Sequence, residues 1–282
     1  MDKKQQKLVA LRKYIKSLGS AAIAFSGGAD SAFLLYTAYE ELGHNVIALT
    51  AKSCFSPNSD IEYAISFCRK HGIRHEIMDV DPLSWPGIDE NTPERCYLCK
   101  KRLFSLFSDY AGKHGIRSVC DGSNAGDMAD FRPGMKAIRE LGIKSPLLHC
   151  GIDKGEIRFF LHEKGLSAWN KPSSACLASR IPYGEKITAE KLAMAEQAEL
   201  FLHSLGMTQL RVRIHGDNMA RIEAIPSEMP LVMQKKAEIF MKFKEIGFSY
   251  TALDLQGYRT GSLNEVLPRK TNASNEQFSN EK

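Results

Sequence analysis

The chain has 282 residues, 43% of them hydrophobic and 25% charged, and 38 Lys+Arg against 33 Asp+Glu leave a net charge of +5. At roughly 150 residues per domain this is a globular composition with room for two cores. A small positive balance without a block of like charge gives no support to nucleic-acid or membrane-surface binding, and it suits an anionic substrate.

Residues 3–18 alternate apolar and basic side chains at helical spacing, with no apolar core of a secretory signal. No apolar run approaches the roughly 18 to 20 residues that span a bilayer, so the expectation is a cytoplasmic protein without membrane contact. A short apolar strand, 21–25, then breaks at Ser26-Gly27-Gly28-Ala29-Asp30-Ser31, where a helix starts that runs to about residue 42. Strand 45–50, helix 59–71, strand 74–80, helix 96–113 and strand 116–120 continue the rhythm. A Gly/Asp-rich loop over 121–134 follows, then helix 134–141, strand 144–148 and helix 153–164. Alternating strands and helices predict the α/β class, with a doubly wound, mostly parallel sheet over residues 1–166. Periodicity fails over 167–187, which reads as a connector. Helix 188–204, strands 209–214 and 220–225, helix 227–246 and strand 249–254 predict a small α+β domain over 188–270. The polar residues 271–282 are expected to be disordered.

Three groups of residues carry chemistry. In the first loop, Gly27 and Gly28 let the backbone approach an anion, and Ser31 opens a helix whose N–H groups and dipole favour phosphate. A bare Ser-Gly-Gly also suits a plain capped turn, and neither the Walker nor the dinucleotide spacing is present. The loop 121–134 follows the fourth strand, and ligands of open parallel sheets sit where two such loops meet. Asp127, Asp130 and Arg132 are its candidates for metal and phosphate contacts.

The second group is thiol chemistry. All seven cysteines, Cys54, Cys68, Cys96, Cys99, Cys120, Cys150 and Cys176, are expected as thiols, an odd number in a chain with full-sized cores. Cys96 and Cys99 open a predicted helix among Arg95, Lys100, Lys101 and Arg102, a setting that lowers thiol pKa. They could be a redox pair, half of a zinc site or part of an iron–sulfur site, which Cys176 in the connector could complete. Cys54, Cys68, Cys120 and Cys150 lie in or beside apolar runs and read as inert buried thiols. The third group is Arg211 and Arg213, two residues apart on one strand face, a fork for phosphate or carboxylate or else a solvated face.

The string Ser26 to Ser31 after a first strand resembles the SGGxDS loop of the PP-loop ATP pyrophosphatases, which cleave ATP between the α and β phosphates. That resemblance implies phosphate binding by Ser26, Gly27, Gly28 and Ser31, and Mg²⁺ binding by Asp30. With the 121–134 loop and Pro172-Ser173-Ser174-Ala175-Cys176-Leu177-Ala178-Ser179-Arg180-Ile181-Pro182-Tyr183-Gly184, nearly the whole chain resembles the LarE family. These are ATP-dependent sulfur transferases that act on a pyridinium-3,5-biscarboxylic acid mononucleotide for the nickel-pincer nucleotide of lactate racemase. The resemblance implies ATP and Mg²⁺ as cofactors, adenylation of a ring carboxylate, and sulfur from Cys176 itself or from a [4Fe–4S] cluster on Cys96, Cys99 and Cys176. The three-cysteine pattern favours the cluster form. It also implies that Arg211 and Arg213 bind the substrate phosphate, oriented by Glu199 and Glu223. Ser179 and Arg180 are placed to meet the activated carboxylate. Gly126 stands where the family commonly carries an Asp, which leaves Asp127 as the second metal ligand. Homo-oligomers and a sulfur donor protein are further expectations. The alternatives are a tRNA-thiolating PP-loop enzyme, disfavoured without a basic stripe, an ammonia-using amide ligase of the NAD or GMP synthetase kind, and a non-catalytic nucleotide-binding module.

Overall fold

The computed structural model describes residues 2–129, 133–171 and 175–266, with the side chains of 128 and 129 left aside. Asp130, Arg132, Pro172 to Ser174 and the segment 267–282, including the expected disordered tail, lie outside the described residues.

An amphipathic helix α1 (Lys3–Leu18) leads into β1 (Ala21–Ala24), α2 (Ala29–Leu42), β2 (Val46–Lys52), α3 (Asn58–His71), β3 (Arg74–Asp79), α4 (Arg95–Lys113) and β4 (Ser118–Cys120). The four strands are parallel in the order β3-β2-β1-β4, and Ala22 in the small-residue strand β1 pairs with Ile47 on one side and Val119 on the other. This is the expected α/β class. One face of the sheet is covered by Leu11, Ile15, Phe33, Leu34, Phe67 and Phe160. The other is covered by Phe104, Phe107 and Ala111, which repeat at helical spacing on α4, with Ile138 and Ile143. Burial on both faces explains why the strands read as short continuous apolar runs. Chain order reverses between β1 and β4, so the crevice of this sheet opens beyond those two strand ends.

After β4 come α5 (Gly134–Glu140), α6 (Pro146–His149) and α7 (Lys154–Glu163). The predicted strand 144–148 is corrected here. Only Lys144 bridges to Cys120, and Pro146, which has no N–H for a ladder, sits in the first turn of α6 instead. Asp153 caps α7 in a reciprocal box with Glu156.

The second sheet contains β5 (Leu210–His215), β6 (Met219–Ala224) and β7 (Tyr250–Leu253), with β5 antiparallel and β7 parallel to β6. It packs on α8 (Ala189–Ser204) and on α9 (Met229–Gln234) and α10 (Lys236–Ile246). The predicted single helix 227–246 is therefore two helices that part at Lys235. The core of this half also takes in Phe55 and Ile88 from the first half and Leu177, Ala178 and Ile181 from the connector. Among the described residues no helix is long and apolar enough to cross a membrane.

Candidate functional site

The first loop follows β1 at the sheet crevice. Gly27 has φ +75°, and a Cβ there would collide with the Asp60 carbonyl oxygen, so both conformation and space demand glycine. Gly28 is extended at the N-cap of α2, and Ser31 Oγ donates to its carbonyl oxygen at 3.1 Å. Ser26 Oγ lies 3.2 Å from Ser31 Oγ, so both hydroxyls face one spot at the helix start. There the first-turn N–H groups have no helical acceptor, and an anion supplies one.

The second loop closes on the first. A Cβ on Gly122 would lie 3.1 Å from the Ser31 nitrogen, a measure of how tightly the two backbones pass. Asn124 donates to Asp30 Oδ2 at 2.9 Å, and its own N–H is accepted by Asp127 Oδ2 at 3.1 Å. Lys154 Nζ is 3.4 Å from Asp127 Oδ1. Burial raises the Asp30 carboxyl above its ordinary value, opposed by Lys154 and reinforced by Asp127. Two partly desolvated carboxylates that repel one another are a setting that a hard divalent cation relieves, so the donor set fits Mg²⁺. Gly126 is exposed, and its N–H is taken by Asn124 Oδ1 at 2.9 Å. Sequence reasoning missed Asn124 and Lys154, which no contiguous motif marks.

Cys96 and Cys99 lie in the first turns of α4. Burial pushes the Cys99 thiol up to about 12, with the charges of Cys176 and Cys96 adding to the shift and Arg95 and Lys100 opposing it. For Cys99 this corrects the expectation of a lowered pKa, because desolvation outweighs the cations. Cys176 is exposed. The two residues that follow it in the connector are anchored. Leu177 N–H donates to the Phe55 carbonyl oxygen at 2.9 Å, and the buried Arg95 donates to the Ala178 carbonyl at 3.0 Å while also bonding Asn91. The thiols of Cys96, Cys99 and Cys176 thus lie within electrostatic reach of one another. Three cysteine sulfurs, which give up their protons on binding metal, suit an iron–sulfur cluster. Among the described residues, though, no three His, Cys, Asp or Glu side chains stand in metal-holding geometry.

Burial decides the role of the arginines. Arg180 is 2% exposed. Its Nε and one terminal nitrogen each donate to a Glu199 oxygen at 2.8 Å, and the other terminal nitrogen reaches the Ala175 and Cys176 carbonyls and Ser179 Oγ. With its donors so engaged, Arg180 shapes the turn that carries Cys176, where the sequence had placed it to meet the activated carboxylate directly. Burial works to raise the Glu199 carboxyl, but the Arg180 charge and bonds outweigh it and hold the group below the usual range. Glu199 also accepts from Val212 N–H at 2.8 Å, so the arginine it orients is Arg180. Arg213 pairs with Glu223 at 2.9 Å, bonds Ser262 Oγ and donates to the Ser179 carbonyl. Arg211 lies over the Tyr258 ring at 5.4 Å, and burial followed by the nearby Arg180 charge lowers its pKa. Arg180, Arg211 and Arg213 are all at least nine-tenths buried, and Ser179, half-buried, lies between Cys176 and this cluster.

A cleft of about 500 Å³ opens beyond the ends of β2 and β3 against α8, lined by Lys52, Cys54, Asn58, Asp81 and Glu196 among others. Its size suits a small ligand. Cys54, read from the sequence as an inert thiol, lines this cleft within electrostatic reach of Cys176.

A parallel sheet with a Ser-Gly-Gly-Ala-Asp-Ser loop at the point where strand order reverses is the fold of the PP-loop ATP pyrophosphatases. Residues 20–92, which include that loop, match the family described as Queuosine biosynthesis protein QueC. An uncharacterized protein of Synechocystis sp. is 40% identical over 267 residues, 94% of this chain and 99% of the relative. The pyridinium-3,5-bisthiocarboxylic acid mononucleotide synthase of Lactiplantibacillus plantarum is 36% identical over 256 residues, 90% of this chain and 92% of its own. A tRNA-specific 2-thiouridylase MnmA of a Thermotoga species is 26% identical over 278 residues, 77% of each chain. The chain belongs to the LarE family, and it is a sulfur-transferring enzyme of the PP-loop superfamily.

Proposed function

We propose that this enzyme uses ATP to adenylate a carboxylate of pyridinium-3,5-biscarboxylic acid mononucleotide and converts it to a thiocarboxylate for a nickel-pincer nucleotide. The observation that carries this reading is where the described residues of the connector are anchored. Lys171 bonds the Gly27 carbonyl oxygen at 2.8 Å, and Leu177, next to Cys176, bonds that of Phe55, so both contacts fall just beyond the carboxyl ends of β1 and β2, where the phosphate loop starts.

Ser26, Gly27, Gly28 and Ser31 hold the β and γ phosphates, and Asp30 with Asp127 would hold Mg²⁺, whose charge offsets that of the triphosphate. The substrate carboxylate attacks the α phosphorus, the bond to the bridging oxygen breaks, and pyrophosphate leaves into the loop. A sulfur nucleophile then adds to the acyl carbon and AMP departs with the oxygen. Where Cys176 is itself the source, its Cβ–Sγ bond breaks as the Cα proton is lost, which leaves dehydroalanine. Cys96, Cys99 and Cys176 would hold a [4Fe–4S] cluster, which when bound would carry a transferable sulfide. Arg211 attracts the substrate phosphate beside Arg213, whose own donors are held by Glu223, Ser262 and the Ser179 carbonyl, while Ser179 and Arg180 keep Cys176 directed at the acyl carbon. We further propose residues 1–166 as the ATP domain, 167–187 as the connector and 188–270 as the substrate and assembly domain of a cytoplasmic homo-oligomer recharged by a sulfur donor protein.

The test is incubation with the mononucleotide, ATP and Mg²⁺ under anaerobic conditions. AMP, pyrophosphate and a product with one oxygen exchanged for sulfur are expected. Cleavage of ATP to ADP, or no cleavage with this acceptor, contradicts the reading.

A further inference from the structure

Lys171 stands outside every motif in the sequence, yet its ammonium has three partners. It donates to the Gly27 carbonyl oxygen at 2.8 Å, pairs with Asp60 Oδ1 at 2.7 Å and lies 4.2 Å from the centre of the Tyr63 ring. Its side chain is 17% exposed, and that of Asp60 9%. Arg158 fixes the backbone that carries it, through bonds to the Trp169 carbonyl at 2.7 Å and to that of Lys171 at 2.9 Å. This is a built contact rather than a chance surface pair.

Its consequence follows from peptide geometry. In a planar trans peptide the C=O of Gly27 and the N–H of Gly28 point in opposite directions. Holding that carbonyl toward Lys171 therefore turns the Gly28 N–H away from it and into the loop, where its one hydrogen bond among the described residues is a long 3.4 Å approach to Ser26 Oγ. Glycine at φ +75° gives the peptide freedom to flip, and no side chain of its own resists the turn.

We propose that Lys171 is a positioning residue for nucleotide binding, which orients the Gly27–Gly28 peptide so that its N–H faces the phosphate. The role rests on the reading of this loop as the phosphate site. It also makes the connector that carries Cys176 part of the nucleotide-binding apparatus.

The test is the affinity for Mg²⁺ with α,β-methylene-ATP, which cannot be cleaved, measured by calorimetry alongside thermal unfolding. Lys171→Met is expected to bind roughly 10- to 100-fold more weakly, the size of one lost charge-assisted hydrogen bond. Lys171→Gln, which keeps a donor without charge, is expected in between, and Lys171→Arg to retain most of the affinity, with both variants still folded at the temperature of the binding measurement. Equal affinity for wild type, Gln and Met variants overturns the role of Lys171 and leaves the phosphate site standing. Should the Met variant fail to fold, the Gln variant against Arg carries the same comparison. Absence of binding by wild type removes the phosphate site, and the role with it.

Discussion

The phosphate loop and the arginine cluster are both rich in hydrogen-bond donors, yet they are built in opposite ways. Around Ser26 to Ser31 the donors are backbone N–H groups and two hydroxyls at a helix start, held open by glycines and by the close pass of the second loop. Around Arg180 and Arg213 the donors are guanidiniums already engaged by Glu199, Glu223 and carbonyl oxygens. An open array binds a ligand, whereas a saturated one fixes a shape. Counting arginines near a cysteine therefore overstates the charge that a substrate meets.

Variants can break this contrast. Glu199→Ala leaves the Arg180 charge buried without its partner, and is expected to lower stability by about 3 to 5 kcal/mol. For a protein of this size that is a fall of roughly 10 °C in unfolding temperature, measured by calorimetry. An unchanged midpoint would mean that the cluster is not architectural. Gly27→Ala should act the other way, with a strain of about 1 kcal/mol from positive φ plus the collision with Asp60, but a far larger loss of nucleotide affinity. Cys96→Ser sharpens the thiol side. Anaerobic protein reconstituted with iron and sulfide is expected to carry about four of each per chain, and the variant to lose them. Wild type without iron would assign the sulfur to Cys176 itself.

The smallest effect concerns His75, whose ring Nε2 lies 2.8 Å from Thr50 Oγ1 and whose pKa is lowered by burial. The unfolded chain takes up this proton first, so the stability contribution is complete above about pH 6.5 and is lost as pH falls through that value toward the folded pKa. His75→Gln should flatten this acid limb of the unfolding curve, and an identical limb would remove His75 as its source.

Local signals made most of the fold legible. Helix and strand periods, with glycine stops at Gly43 and Gly72, give elements close to those observed. The segment 144–148 misled because its length suits a strand while Pro146 favours the start of a helix. In the candidate site, what lies on one stretch of chain was legible and what is assembled across stretches was not. Ser26 to Ser31 form one motif. Asn124 on Asp30, Lys154 on Asp127 and Lys171 on Gly27 join residues 27 to 144 apart, and no spacing rule marks them. The same holds for Arg180, whose partner Glu199 lies 19 residues on.

The central claim is that adenylation belongs to the loop and sulfur transfer to Cys176. A single-turnover experiment on Cys176→Ala with the mononucleotide, ATP and Mg²⁺ tests it most directly, following AMP, pyrophosphate and the mass of the substrate. AMP and pyrophosphate release should persist while the oxygen-to-sulfur exchange disappears; sulfur incorporation by this variant would contradict the account.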